Sequence, residues 1–171
     1  MAETLVHTFL GVFEGLKNIP YGKELIVFII SLMPILEIRG GLIAAAILGV
    51  NIVPAFLICL IGNLIPIPFI LWFITPIFNY LKKTKHFSKL VLKIENKALD
   101  KKEKIEKAEF WGLFFFVGIP LPGTGAWTGS LIASLINMDK KKAITAATLG
   151  VLLAGFIVGT LSFGLLKGII N

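Results

Sequence analysis

From Leu25 to Phe78 the chain is apolar, and Glu37 and Arg39 are the only charged residues in that stretch. Within it, Ile52 to Phe78 carries no charge and is longer than the ~20 residues a helix needs to cross a bilayer, so it is predicted to span with tilt. Leu25 to Val50 has similar length but reads differently. Pro34 removes a backbone donor at its middle, Gly40-Gly41 favours a turn, and Glu37 and Arg39 sit where charge is most costly for a lipid-facing helix. The pattern predicts a re-entrant hairpin that enters and leaves by one face. Its tip is Pro34-Ile35-Leu36-Glu37-Ile38-Arg39-Gly40-Gly41, buried in protein where irregular backbone is tolerated.

A second broken stretch follows later. Phe110 to Ile136 is again free of charge but contains Pro120, Pro122, Gly123, Gly125 and Gly129 within ten residues. That composition forbids a continuous helix and predicts a second re-entrant hairpin. Ala143 to Leu166 then reads as a final span, with Gly150, Gly155, Gly159 and Gly164 available for close helix packing. In Ile52–Phe78, Asn63 is a lone polar group facing a partner or a cavity, and Pro66 and Pro68 predict kinks.

The remaining segments are polar or amphipathic. Over residues 3–17, Leu5, Phe9, Val12 or Phe13 and Leu16 recur at helical spacing, which predicts a surface helix or one packed on the bundle. Asn79 to Glu109 is a basic loop. Phe87, Leu90, Val91, Ile94, Ala98, Ile105 and Ala108 lie near one helical face, with Asp100/Lys104 and Glu103/Lys107 at i,i+4 spacing. It reads as an amphipathic helix on the inner membrane surface, attracted to anionic lipid.

Composition agrees with the pattern. Hydrophobic residues make up 56% of the 171 residues, and mean hydropathy is +0.89. This is an all-α integral membrane protein, expected to form one membrane domain over residues 1–171. Net charge is +7 but unevenly placed: residues 79–109 hold ten Lys against five acids, and residues 137–142 three Lys against one Asp. Next to spans, such patches mark the cytoplasmic side rather than a nucleic-acid surface. Cys59 is the only cysteine and reads as a packing thiol. His7 and His86 have no ligand-spaced neighbours, so no metal or other cofactor is expected. No basic region precedes an apolar run at the N-terminus, so no signal peptide is expected.

The broken stretch and span at residues 25–78 are repeated in kind at 110–166. A shift of 88 superposes Pro34 on Pro122 and Gly41 on Gly129, while a shift of 89 matches Leu42-Ile43-Ala44 with Leu131-Ile132-Ala133. With loop 79–109 inside, the first hairpin enters from outside and the second from inside, and both termini lie outside. That is an inverted repeat whose broken elements meet at the midplane, the plan of many transporters. Two inverted halves can also come from two chains, so a homodimer is a further expectation.

The candidate site combines both tips. Arg39 supplies a fixed charge with a fork suited to phosphate or carboxylate. The Gly-rich turn Pro122 to Gly129, Gly125 included, exposes N–H groups, and a half-helix beginning there points its positive end inward; Gly40 joins the site beside Arg39. Thr124 and Thr128 add hydroxyls, Trp127 adds a face and an N–H, and Asn63 a central amide. Pro34, Gly41, Pro120, Pro122, Gly123 and Gly129 shape the tips. Together these suggest an anionic headgroup held at the centre. Glu37 pairs with Arg39, or takes up a proton and couples transport to a gradient, or merely ties the tip together.

Pro-x-x-Glu-x-Arg-Gly-Gly at 34–41, Gly62-Asn63, and Pro-x-Pro-Gly-Thr-Gly-Ala-Trp-Thr-Gly at 120–129 resemble the family of small multidrug export proteins, over about residues 25–166. That family is distantly similar to the DedA (VTT-domain) superfamily. The resemblance implies two re-entrant hairpins packed on transmembrane helices. Some DedA relatives are implicated in recycling undecaprenyl phosphate or in lipid scrambling, roles that would fall to Glu37 and Arg39. Where those relatives commonly carry Arg in the second hairpin, this chain has no charge.

Three functions follow as expectations. The first is a transporter or flippase for an anionic lipid headgroup, such as a polyprenyl phosphate or phospholipid, coupled to protons in the cell membrane. The second is proton-coupled export of small cationic or amphipathic drugs. The third is a non-transporting scaffold. No nucleophile–base pair or metal cluster marks an enzyme.

Overall fold

The computed structural model describes residues 2–13, 15–16, 19–84, 87–100 and 108–170. Among them every regular element is a helix: α1 (Ala2–Val12), α2 (Gly22–Leu32), α3 (Glu37–Leu48), α4 (Ile52–Leu64), α5 (Pro66–Lys82), α6 (Ser88–Leu99), α7 (Glu109–Gly118), α8 (Ala126–Leu135) and α9 (Lys140–Ile170). Two stretches are long and apolar enough to cross a membrane, Ile52–Lys82 and Lys140–Gly164. They coincide with the two spans expected from hydropathy. The broken helices that precede each of them are 10 to 12 residues long, each about 15–18 Å and half of a ~30 Å hydrocarbon core.

The chain divides into two compact units, Met1–Ile65 with Val151–Asn171, and Pro66–Gly150. In the first, α2, α3 and α4 pack mutually. They do so at small residues. A Cβ on Gly41 of α3 would come 2.7 Å from Cys59 Sγ of α4 and 2.9 Å from Ser31 Cβ of α2. A Cβ on Gly62 of α4 would overlap the Ser31 hydroxyl oxygen and lie 3.0 Å from the Phe28 carbonyl oxygen. Without side-chain bulk the three backbones approach and gain dispersion contacts, the main attraction available where lipid is as apolar as Leu. Gly155 of α9 fits under Ile38 and Phe56 in the same unit. Helix α1 packs on α2 and α3, and Val6 and Leu10 join Ile26, Ile30, Leu36 and Ala44 in one cluster. Of the two placements expected for the N-terminal helix, it takes the one against the bundle. Glu14 and Lys17 lie outside the described residues.

In the second unit α8 packs on α5, α7 on α8, and α6 on both α5 and α8. Gly129 of α8 lies against Leu113 and Val117 of α7, and Gly150 of α9 against Val117 and the Phe114 carbonyl. Helix α6 is held by buried Val91 and Ala98 and by an ion pair from Lys82 to Glu95 at 2.6 Å. Its apolar face therefore covers neighbouring helices rather than lying wholly on lipid. His86 and residues 101–107, including the Glu103/Lys107 pair, lie outside the described residues.

Proline stops the first helix of each broken pair by the same device. Steric conflict with the proline ring drives the preceding residue out of the helical region. Met33 before Pro34 is extended (φ −75°, ψ 141°), as is Ile119 before Pro120 (φ −81°, ψ 121°). Pro34 thus corresponds in role to Pro120, an offset of 120 − 34 = 86. The Gly41/Gly129 correspondence keeps the offset of 88, and both glycines admit the helix before them.

Candidate functional site

The first break spans only Met33 to Leu36. The Glu37 N–H donates to the Met33 carbonyl at 3.0 Å, and the Gly40 N–H to the Leu36 carbonyl at 2.7 Å. A Cβ on Gly40 would lie 2.6 Å from Leu36 Cβ, so only glycine closes this turn. The expectation that Gly40-Gly41 makes the bend is corrected: both are helical residues of α3. Pro34 had already ended α2, leaving the glycines to serve close packing.

Glu37 opens α3 with φ +53°, a left-handed conformation that costs a non-glycine residue about 1–2 kcal/mol. The bend therefore holds this carboxylate in a strained place, and it is 4% exposed. Pro34 and Ile35 beside it are exposed, Ile35 by 80%. Arg39, two residues on, is half-buried. The Glu37 carboxylate acts electrostatically on its guanidinium. The break thus turns apolar residues outward and draws a carboxylate in, with Arg39 half-buried beside it and its Nε buried.

Asn63 lies on the face of α4 that also carries Ala55, Cys59 and Gly62. It is fully buried, and among the described residues neither its amide oxygen nor its nitrogen has a hydrogen-bond partner. An unpartnered buried amide costs ~1–3 kcal/mol, so this position is polar against the interest of packing. Ser31, which hydropathy did not single out, is also buried, and its hydroxyl donates to the Phe28 carbonyl at 2.8 Å.

The second break is longer, Ile119 to Gly125. Gly123 (φ +74°) and Gly125 (φ +136°) take conformations that favour glycine. The Thr124 hydroxyl lies 2.8 Å from the Leu121 carbonyl and 3.1 Å from that of Ile119, so its proton locks the loop. Leu121, Pro122 and Gly123 are exposed, while Trp127 and Thr128 are half-buried in the first turn of α8. Beside this loop a cavity of about 390 Å³ is lined by Trp111, Phe115, Phe116, Ile119, Leu121 and Thr124. Its aromatic walls suit an amphipathic guest or an acyl chain.

Further polar residues gather in the second unit, where no motif marked them. Thr75 and Ser134 share a hydrogen bond at 2.8 Å between α5 and α8. Ser130, one turn from Ser134, is fully buried, and its hydroxyl has no partner among the described residues. Serines four residues apart in an otherwise apolar helix were the available signal.

No curated protein and no solved structure matches the chain. Residues 37–157, from Glu37 through Asn63 and the second break into α9, match the family described as "Putative small multi-drug export protein". The chain is a membrane protein of apolar helices, and it belongs to that family.

Proposed function

We propose that the protein is a transporter or flippase of the cell membrane that takes an anionic headgroup, a polyprenyl phosphate or a phospholipid, at Arg39. The carrying observation is the unequal burial of the two charges in the first apolar region. Glu37 is 4% exposed whereas Arg39 is half-buried with its Nε buried, so Arg39 is the more accessible of the two charged residues. Its planar fork forms paired charge-assisted hydrogen bonds with phosphate. Glu37 balances Arg39 when no anion is bound and takes up a proton as the anion arrives. The resemblance to DedA relatives points to the same class of ligand.

The reading treats both broken pairs as re-entrant, in an inverted repeat with residues 79–109 in the cytoplasm. Its support is length, since 10 to 12 residues reach about half-way through a bilayer. Basic residues on the loop side add to it.

Binding of a short-chain polyprenyl phosphate, measured by native mass spectrometry at several pH values, tests this. Selective, pH-dependent binding by the wild type and its loss in Arg39→Ala is the expected result. Equal binding by both removes Arg39 as the headgroup ligand.

A second reading is proton-coupled export of small amphipathic drugs, favoured by the family description and by the aromatic cavity beside the second break. It predicts proton-driven efflux of a lipophilic cation from vesicles, lost in Glu37→Gln and kept in Arg39→Ala.

A further inference from the structure

The turn between α8 and α9 holds an unusual charge arrangement. Lys140, Lys141 and Lys142 form the first turn of α9, beside the positive end of a long helix. Cations are disfavoured there. Asp139 offsets part of this by accepting the Lys142 N–H at 2.9 Å. The turn itself is well formed: Met138 N–H donates to the Ala133 carbonyl at 2.9 Å around Asn137 at φ +55°, a helix-ending motif that tolerates Asn.

Beside this turn α5, α8 and α9 border a cavity of about 290 Å³, lined by Trp72, Thr75, Ser134, Asn137 and Lys140. The Lys140 ammonium stands 5.7 Å from the centre of the Trp72 ring, within cation–π range. Ser130, whose buried hydroxyl has no partner among the described residues, lies one turn deeper on the same face of α8 as Ser134. A polar line thus runs from the cavity into an apolar helix interface.

Depth says what fills it. Lys140 begins the span Lys140–Gly164, and Trp and Lys are the residues that mark the membrane–water boundary. The Lys140 ammonium stands against the Trp72 ring, so the cavity lies where the apolar span Lys140–Gly164 begins, the level of headgroups. Its lining offers an ammonium, two hydroxyls and an amide beside an aromatic wall. Basic pockets between helices at this depth suit lipid headgroups.

We infer that this cavity between α5, α8 and α9 binds the phosphate headgroup of an anionic phospholipid. Lys140 pairs with the phosphate, the Asn137 amide and whichever of the mutually bonded Thr75 and Ser134 hydroxyls keeps its proton free donate to its oxygens, and Trp72 packs on the glycerol backbone. An anion here also offsets the crowded charge of Lys140 to Lys142. The site does not depend on the Arg39 reading and holds if that reading fails.

The test is native mass spectrometry of the full chain with phosphatidylglycerol or phosphatidylcholine of matched acyl chains. Wild type retains phosphatidylglycerol selectively. Lys140→Gln lowers its occupancy about tenfold or more, as expected for a charge-assisted bond. Lys141→Gln, an equal charge change outside the lining, lowers it no more than about fivefold. Ser134→Leu fills the cavity without changing charge and also abolishes retention. Asn137→Gly keeps the left-handed turn, removes the amide and lowers retention about threefold, which covers the case in which Ser134→Leu fails to fold. Equal losses in Lys140→Gln and Lys141→Gln, with Asn137→Gly unchanged, would overturn the site in favour of diffuse attraction. Equal retention of both lipids would also overturn it. So would displacement of the anion by millimolar inorganic phosphate with no lipid retained, which would mark a free-anion site.

Discussion

Gly62→Ala is a sharp test of how the first unit is packed. A methyl group at Gly62 would overlap the Ser31 hydroxyl oxygen and sit 3.0 Å from the Phe28 carbonyl oxygen. The Ser31 side chain can escape only by leaving the 2.8 Å hydrogen bond it makes to that same carbonyl. Three contributions compete. The loss of that bond costs about 0.5–1.5 kcal/mol. Forcing a methyl into a filled interface costs about 1–3 kcal/mol. Replacing glycine by alanine inside a helix returns about 1 kcal/mol. The sum is a destabilisation of about 0.5–3.5 kcal/mol. Ser31→Ala alone loses only the hydrogen bond. In the double variant the overlapping oxygen is gone, so Gly62→Ala costs little more than Ser31→Ala alone, a coupling of about 1–2 kcal/mol. Gly159→Ala is the control. Its methyl would meet only Leu42 Cδ1 at 3.8 Å, so the substitution is neutral or stabilising by up to about 1 kcal/mol. The assay is unfolding in mixed micelles as the mole fraction of sodium dodecyl sulfate rises, followed by far-ultraviolet circular dichroism. Additive effects of Gly62→Ala and Ser31→Ala, within about 0.3–0.5 kcal/mol, would refute the packing argument.

Other outcomes follow from the two breaks. Gly125→Ala, at φ +136° with extended ψ, costs about 1–3 kcal/mol, more than Gly123→Ala at φ +74°, because only glycine enters the first region readily. Thermal melts in detergent rank them, and equal melts would contradict the assigned loop conformation. Glu37→Gln leaves the Arg39 charge in apolar surroundings and lowers stability, within the range of about 3–5 kcal/mol for fully buried pairs but toward its lower end. Glu37→Gln combined with Arg39→Gln recovers part of that loss. If the double variant is as stable as wild type yet transports nothing, the pair serves function. If every variant keeps full flux, the pair serves structure only.

Much of the architecture was legible because its causes are local. A proline acts on the residue before it, so Pro34 and Pro120 mark helix ends wherever they fall. Long uncharged runs have few alternatives to membrane helices, hence Ile52–Lys82 and Lys140–Gly164. The charged pair stood out for the same reason. Glycine was harder to read, since it permits both turns and close approach. Gly123 and Gly125 are in the turn, whereas Gly40 and Gly41 are inside α3. Likewise Pro66 opens α5, a position that needs no backbone donor, and Pro76 is the proline inside it.

The sequence by itself determined the class, the two spans, both breaks and the placing of Glu37 and Arg39 in an apolar region, since each follows from the free energy of single residues in lipid or in a helix. The tertiary structure decided what those residues face. It buried Glu37 while leaving Arg39 half-buried, closed Gly41 and Gly62 onto Ser31, and joined Trp72, Thr75, Ser134 and Lys140 from three helices around one cavity. These residues are far apart in the chain, and pairing across such distances depends on how helices pack, which no local pattern encodes.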